Sequence, residues 1–345
     1  MYRRGKLNSR ERNSGIDLLK FGAAAFIILG HINEKFITPI PVTGLFGFTD
    51  VVELFFLISG YLCRDLSKFN SPNGIIKRIL RVYPMIFITT TVAIVLNEFA
   101  HLVYEEPSTG ILNVLASYLL IFKFSIIPNQ LGIDGNLWYI GILIFCYCVA
   151  YVVKKIEEKL DIHYLFTSTV LVLVGVSCVF SGENKPFWNY YTGRGLAAFF
   201  LGVILWDIIN NRIKIEKWWI LTIVESIIAI VVVKWMLDIN IERIESIWGV
   251  ECFVLFPAIL HIGIKLGSFI KSTVFTVLGD ISFEMYIWQA VGFFMIEHIN
   301  LASGRDSLSF KGILAFYVVL LVWSYIMNRF VEKPLNKTII QKIAK

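Results

Sequence analysis

Three ionisable side chains, Asp17, Lys20 and His31, stand within one apolar run of the chain, residues 16–36. A charge placed among apolar neighbours at bilayer depth costs roughly 2.5–3.5 kcal/mol, so each asks for a partner or a task. Lys20 and His31 are 11 positions apart, which on a helix is within about 20° of three full turns. Asp17, 14 positions before His31, falls within about 40° of the same face. One face thus carries an acid, a base and an imidazole, with Lys20 and His31 about 16 Å apart along the axis. That is the pattern of a lined polar path, ending in a group able to act as general base or nucleophile. A plainer reading has Lys20 reaching back to the headgroups with Asp17 as partner, and His31 in a polar interhelical contact.

Further charges lie in the next two apolar runs. Glu53 stands inside residues 44–63, within about two turns of the depth of His31. A carboxylate there orients an imidazole and stabilises its protonated form, or serves as a structural hydrogen-bonding residue. Arg78 and Arg81 open the following run in the stretch Lys77-Arg78-Ile79-Leu80-Arg81-Val82-Tyr83-Pro84. At i and i+3 their guanidinium forks share one side of a helix. Such a pair binds phosphate oxygens in bidentate fashion, whether those of a diffusible ligand or of membrane lipid. Arg194 stands at the start of a later apolar run, residues 194–209, where its charge can offset that of an anionic ligand.

The elements that must position these groups are membrane helices. Of 345 residues 57% are hydrophobic, 15% aromatic and only 17% charged, with a mean hydropathy of +0.69. A soluble domain is nearer 45–50% apolar and roughly 25% charged. Apolar runs of about 20 residues recur, at roughly 16–36, 44–63, 82–103, 111–127, 137–153, 164–181, 194–209, 218–236, 247–266, 274–297 and 311–330. The run 111–127 is the weakest, short and interrupted by Asn113 and Lys123.

The distribution of Lys and Arg decides whether that run crosses, because cytoplasmic loops carry the excess. If 111–127 does not cross and the amino terminus is cytoplasmic, 23 of the 32 Lys and Arg fall on the cytoplasmic side and 8 outside. If it crosses, the split is 17 against 14. The expectation is an all-α integral membrane protein in one domain, 1–345. It has about ten crossings, both termini inside, with 111–127 re-entrant or interfacial. The first run follows Arg3, Arg4, Lys6, Arg10 and Arg12 like a signal peptide, yet its charges and the lack of a small-residue cleavage site read as a retained span. The net charge of +6 is scattered over short loops, with no basic stripe for nucleic acid. The five cysteines form no C-x-x-C or Cys/His pattern, so no metal site is expected.

Taken in order, these pieces resemble the acyltransferase 3 family of bacterial integral membrane O-acyltransferases. Its D-L-L-[RK]…H helix is matched by Asp17, Leu18, Leu19, Lys20 and His31. A D-L-F-F-x-x-S-G-[YF] helix is matched by Glu53, Leu54, Phe55, Phe56, Ser59, Gly60 and Tyr61, and R-x-x-R-[IV]-[YW]-P by Arg78, Arg81, Val82, Tyr83 and Pro84. Leu137-Trp138-Tyr139, the Arg194…Phe199-Phe200-Leu201-Gly202 segment, Leu278 to Phe283 and Phe330 to Leu335 complete the series. No one motif is specific, but their order along one chain is.

The resemblance implies transfer of an acyl group, usually acetyl, from cytoplasmic acyl-CoA to a sugar hydroxyl of an extracytoplasmic polysaccharide or lipid-linked glycan, in the bacterial inner membrane. By that resemblance His31 is the catalytic histidine, and Arg78 and Arg81 hold the CoA phosphates. Pantetheine would run along the Asp17–Lys20–His31 face, Glu53 would orient His31, and Lys20 or Arg194 would offset negative charge. Acetyl-CoA would be a donor substrate, with no permanently bound cofactor. The chain departs from the family at Lys20, where Arg is common, at Leu143, where many members carry Glu, and at Gln289, where His is frequent. A non-enzymatic carrier or flippase for a glycan or lipid intermediate would use the same polar face, and the sequence leaves that alternative open.

Overall fold

The computed structural model describes residues 12–38, 51–63, 72–104, 109–126, 132–210, 224–225, 227–228, 248–270, 272–303 and 307–343. Among these residues the only regular structure is helical, with isolated bridges at Ile37–Ser307 and Lys185–Trp188. The helices run in chain order as α1 (Ser14–Lys35), α2 (Val52–Cys63), α3 (Pro72–Tyr104) and α4 (Ile111–Leu119). They continue as α5 (Trp138–Leu160), α6 (Tyr164–Phe180), α7 (Tyr190–Ile209), α8 (Phe256–Phe269), α9 (Thr273–Ser303), α10 (Phe310–Met327) and α11 (Lys333–Ile343). A 3-10 turn at Gly135–Leu137 leads into α5, and π-helical turns Glu251–Leu255 and Asn328–Glu332 precede α8 and α11.

Six described stretches are long and apolar enough to cross a membrane: Ser14–Lys35, Asn73–Val103, Gly135–Leu160, Tyr190–Ile209, Trp248–Phe269 and Phe310–Ile339. Helices α2 and α6 are apolar but shorter, and α9, at 31 residues, carries Asp280 and Glu284 inside its apolar stretch. The run expected at 218–236 lies outside the described residues except for Val224, Glu225, Ile227 and Ile228. Within 111–127 the helix α4 has 9 residues, about 13 Å of rise against a hydrocarbon core of about 30 Å. It ends where Leu120 turns left-handed at φ 56°.

Polarity is inverted relative to a soluble bundle. Phe87, Val95, Phe99, Leu173, Val319 and Val322 face outward, whereas Asp17, Glu53, Arg194, Asp207, Glu251 and Glu284 are buried. Lipid gives no reason to hide apolar groups from it, so close packing and interhelical polar contacts hold such helices together.

Helices α2 and α7 approach closely, as do α1 and α8 at Gly15 and Gly263. A Cβ on Gly60 would stand 1.8 Å from the Phe199 carbonyl oxygen, and one on Gly202 would stand 2.1 Å from that of Leu57. Gly60→Ala must therefore push the helices apart. We expect a loss of about 1–3 kcal/mol, read as a lowered unfolding midpoint in detergent. Gly22→Ala, where nothing lies within 4 Å, should leave the midpoint unchanged.

Contacts between helix termini mark two ends of the bundle. At one, Asn13 caps α1 by accepting the Gly15 and Ile16 amides at 2.9 and 3.1 Å, and donates to the Ile264 carbonyl at 3.0 Å. There Arg12 bonds both Asp17 and Asp280, each at 2.6 Å, and Lys333 reaches Asp280 at 2.7 Å. At the other end the Leu308 amide donates to the Ile37 carbonyl at 2.9 Å, tying the exit of α1 to the start of α10.

Candidate active site

The arginine pair sits where α3 begins. Both residues are one turn apart on a continuous helix that includes Pro84, but they face different surroundings. Arg81 is exposed. Arg78 is half-buried; its Nη1 donates to Cys63 Sγ at 3.0 Å and its guanidinium lies 5.2 Å from the centre of the Tyr147 ring.

From Arg78 a chain of polar side chains runs between the helices toward the opposite end. Arg78 also pairs with the Tyr147 hydroxyl. Ser59, on the same face of α2 as Cys63, is the shared polar neighbour of Tyr147 and Tyr139. Tyr139 and Tyr147 are eight residues apart on α5, about 12 Å of rise. The Tyr139 ring meets Tyr286 of α9 edge-on with centroids 5.6 Å apart. Tyr286 in turn donates its hydroxyl to the Asn136 carbonyl in the 3-10 turn. That turn is capped by Asp134, whose Oδ1 accepts the Asn136 amide at 3.0 Å.

His31 stands at this far end. Its Nδ1 is 3.0 Å from Oε2 of Glu34 on the next turn of α1, and its ring meets Phe293 edge-on at 6.5 Å. The side chain keeps 17% of its surface accessible. With Nδ1–H donating to Glu34, the Nε2 lone pair is the one available to take a proton. Asp134 lies in the loop before α5, within the electrostatic reach of His31 and Lys35. Burial pushes its carboxyl up to about 7, against the lowering effects of the Asn136 amide, His31 and Lys35.

Glu53 is fully buried, but its partner is not His31. Arg194 takes both carboxylate oxygens, Nε to Oε1 and Nη2 to Oε2 at 2.8 Å, and Trp248 Nε1 donates to Oε1 at 2.8 Å. A guanidinium fork matches a carboxylate in a way an imidazole does not. Arg194 lies between the rings of Trp138 and Tyr190, at 5.0 and 5.1 Å from their centres. It is a buried residue of α7, not an external loop charge, and it joins Glu53 in bracing the Trp138 end of α5.

The Asp17–Lys20 part of the expected path differs too. Asp17 is buried, engaged by Arg12 and closely packed on Gly279, where a Cβ would fall 2.5 Å from its own. Arg12 is held above its ordinary value, against the cost of desolvation, by Asp17 and Asp280. Lys20 is half-buried with Asp17, Arg12 and Asp280 as its charged neighbours. The structure thus places Asp17 and Lys20 beside the Arg12 cluster and His31 beside Glu34 and Phe293.

Beside the Glu53–Arg194 pair, Tyr191 packs on Trp138 at 5.0 Å and Tyr190 on Arg194, whereas Trp188 stays partly exposed. Gln289 is fully buried and donates to the Tyr286 carbonyl at 2.8 Å. Glu34, Asp134, Tyr147 and Tyr286 went unrecognised in the sequence as site residues. A signal for Asp134 was the Asp-Gly-Asn turn just before the Leu-Trp-Tyr run, a common way to cap a helix.

A groove of about 430 Å³ between α1, α2 and α8, lined by Leu18, Gly22, Phe26, Leu54, Phe256 and Ile259, has apolar walls with no charge for a phosphate. Among the described residues no cluster of three or more His, Cys, Asp or Glu is placed to hold a metal ion.

Neither a curated protein nor a solved structure matches the chain. One family model does, described as an acyltransferase domain, and it spans residues 13–329, from the cap of α1 to the turn before α11. A match over nearly the whole chain places this protein in the acyltransferase 3 family.

Proposed function

We propose that this membrane acyltransferase takes an acyl group, acetyl first among them, from cytoplasmic acyl-CoA. It delivers the group to a hydroxyl of a polysaccharide or lipid-linked glycan outside the bacterial inner membrane. The reading includes about ten crossings with both termini cytoplasmic. Charge supports the orientation: the Arg78 end of the bundle also carries Arg12, Lys154, Lys155, Lys159, Lys265 and Lys333, as cytoplasmic ends do. The observation that carries the reading is the seam itself, Arg78–Tyr147–Ser59–Tyr139–Tyr286–Asn136, leading from a phosphate-binding group to a loop within electrostatic reach of His31.

In this mechanism Arg81, exposed at the mouth, and Arg78 behind it bind the CoA phosphates, and the pantetheine extends along the seam. His31 takes the proton of the acceptor hydroxyl on Nε2, with Nδ1–H held by Glu34. The hydroxyl oxygen attacks the thioester carbonyl, the C–S bond breaks, and the departing CoA thiolate recovers the proton. A route through an acyl-imidazole on His31 uses the same groups in two steps. Lys20 offsets donor charge near the mouth, while the Glu53–Arg194 pair holds Trp138 and the entrance of α5 in place.

Labelled acetyl-CoA tests this directly. Membranes holding the protein should form an alkali-labile labelled ester. A carrier would move material without forming it, and absence of ester with every glycan acceptor tried would overturn the proposal. Arg78→Lys with Arg81→Lys keeps the charge but loses the fork. It should raise the KM for acetyl-CoA about tenfold, the equivalent of one charge-assisted hydrogen bond. An unchanged KM would return both arginines to lipid anchoring.

A further inference from the structure

Arg194 and Arg78 are held in opposite ways. Arg194 gives its fork to the Glu53 carboxylate, and that pairing neutralises it. Arg78, half-buried at the mouth, is held by a thiol and a phenol. Its Nη1 donates to Cys63 Sγ of α2 at 3.0 Å, and its guanidinium lies 5.2 Å from the centre of the Tyr147 ring of α5. The Tyr147 hydroxyl pairs with it as well. An ordinary thiol or phenol is neutral at pH 7. Such partners fix the direction of a guanidinium and leave its charge to act on an incoming anion. A carboxylate in their place would compete with a phosphate for the fork.

Packing sets both partners. Cys63 ends α2 and is fully buried. Three residues earlier, on the same side of the helix, Gly60 lies against the Phe199 backbone of α7, where a Cβ would stand 1.8 Å from the carbonyl oxygen. The Phe199 side chain is fully buried too, and its ring meets Tyr147 edge-on with centroids 5.6 Å apart. Helices α2, α5 and α7 thus bring a sulfur and a ring to one guanidinium on α3. An arginine side chain loses much rotamer freedom when it grips a ligand, and contacts made beforehand lower that cost.

We propose that Cys63 and Tyr147 are positioning residues for the acyl donor, holding the Arg78 guanidinium, with its charge uncancelled, where a CoA phosphate meets it. The proposal rests on Arg78 binding those phosphates and names what sets that binding. A guanidinium carries five N–H donors, so a hold by sulfur and hydroxyl is compatible with gripping an anion. Neither Cys63 nor Tyr147 forms a covalent bond to the acyl group.

Binding of CoA itself, titrated into the full-length protein in detergent, reads this without turnover. Cys63→Ala should raise the Kd for CoA about three- to tenfold, the equivalent of one neutral hydrogen bond, with kcat for acetyl transfer within about twofold of wild type. Cys63→Ser keeps an acceptor and should recover most of the affinity. Cys63→Asp puts a carboxylate beside Nη1 and should raise the Kd further than Cys63→Ala does, because the carboxylate competes with the phosphate. Tyr147→Leu removes ring and hydroxyl and should weaken CoA by a factor similar to that of Cys63→Ala. Tyr147→Phe, which keeps the ring, should recover part.

Repeating the titrations in an Arg78→Met background separates positioning from a structural role. There Cys63→Ala and Tyr147→Leu should add nothing to the loss, since both act through the guanidinium. A structural role would lower the amount of folded protein and keep its full effect on Kd without Arg78. That result, or an unchanged Kd in Cys63→Ala or Tyr147→Leu, would overturn the proposal and leave acyl transfer standing. CoA binding with no acyl transfer would instead count against the proposed function, and a wild-type protein that binds no CoA would end both.

Discussion

His31→Ala is expected to lower acetyl transfer from acetyl-CoA by about 10²–10⁴-fold, the usual contribution of a general base, in a protein that still inserts at normal levels. The expectation of intact folding comes from what the ring touches. His31 is on the last turns of α1, where it meets an exposed Glu34 and packs edge-on against Phe293. Its loss removes a hydrogen bond to an exposed side chain, worth about 1 kcal/mol or less, and α1 remains held by Asn13, Arg12 and its packing on α8 and α9. Ester formation and the amount of folded protein in detergent, measured side by side, decide the matter. Transfer at the wild-type rate would remove His31 from the chemistry, and loss of folded protein would mean that its role is structural.

The largest effect on stability should come from Arg194. Arg194→Met leaves Glu53 buried with one remaining donor, Trp248, and breaking one side of a buried ion pair costs about 3–5 kcal/mol. Glu53→Gln alone should be damaging for the converse reason, a guanidinium between Trp138 and Tyr190 that has lost its buried carboxylate. Their combination removes both charges and keeps an acceptor for the Trp248 indole. We expect the double variant to regain most of the lost unfolding midpoint in detergent, giving a coupling of several kcal/mol in the double-mutant cycle. Simple additivity of the two losses would show that the pair is not the brace for α5 described above.

The membrane character of the protein was legible from composition and run length alone, because a bilayer demands long apolar helices and tolerates little else. Periodicity within a helix was legible too. Asp17, Lys20 and His31 do share one continuous helix, and Arg78 and Arg81 do stand one turn apart. The shortness of α4 agrees with the weakness of the run 111–127, whose interruptions at Asn113 and Lys123 already marked it as poor spanning material.

Partnership across helices was not legible. Glu53 and Arg194 are 141 positions apart, and Tyr286 and Asn136 are 150 apart. No local spacing rule reaches that far. Depth alone made Glu53 the natural companion of His31, but rotation about α2 decides which way a side chain points, and the close approach of Gly60 and Gly202 sets that rotation. The amino-acid sequence by itself determined that this is a helical membrane protein of the acyltransferase 3 kind, with an imidazole and an arginine pair in separate helices. The tertiary structure alone decided which carboxylate each of them meets, since a buried charge takes the partner that packing brings within reach.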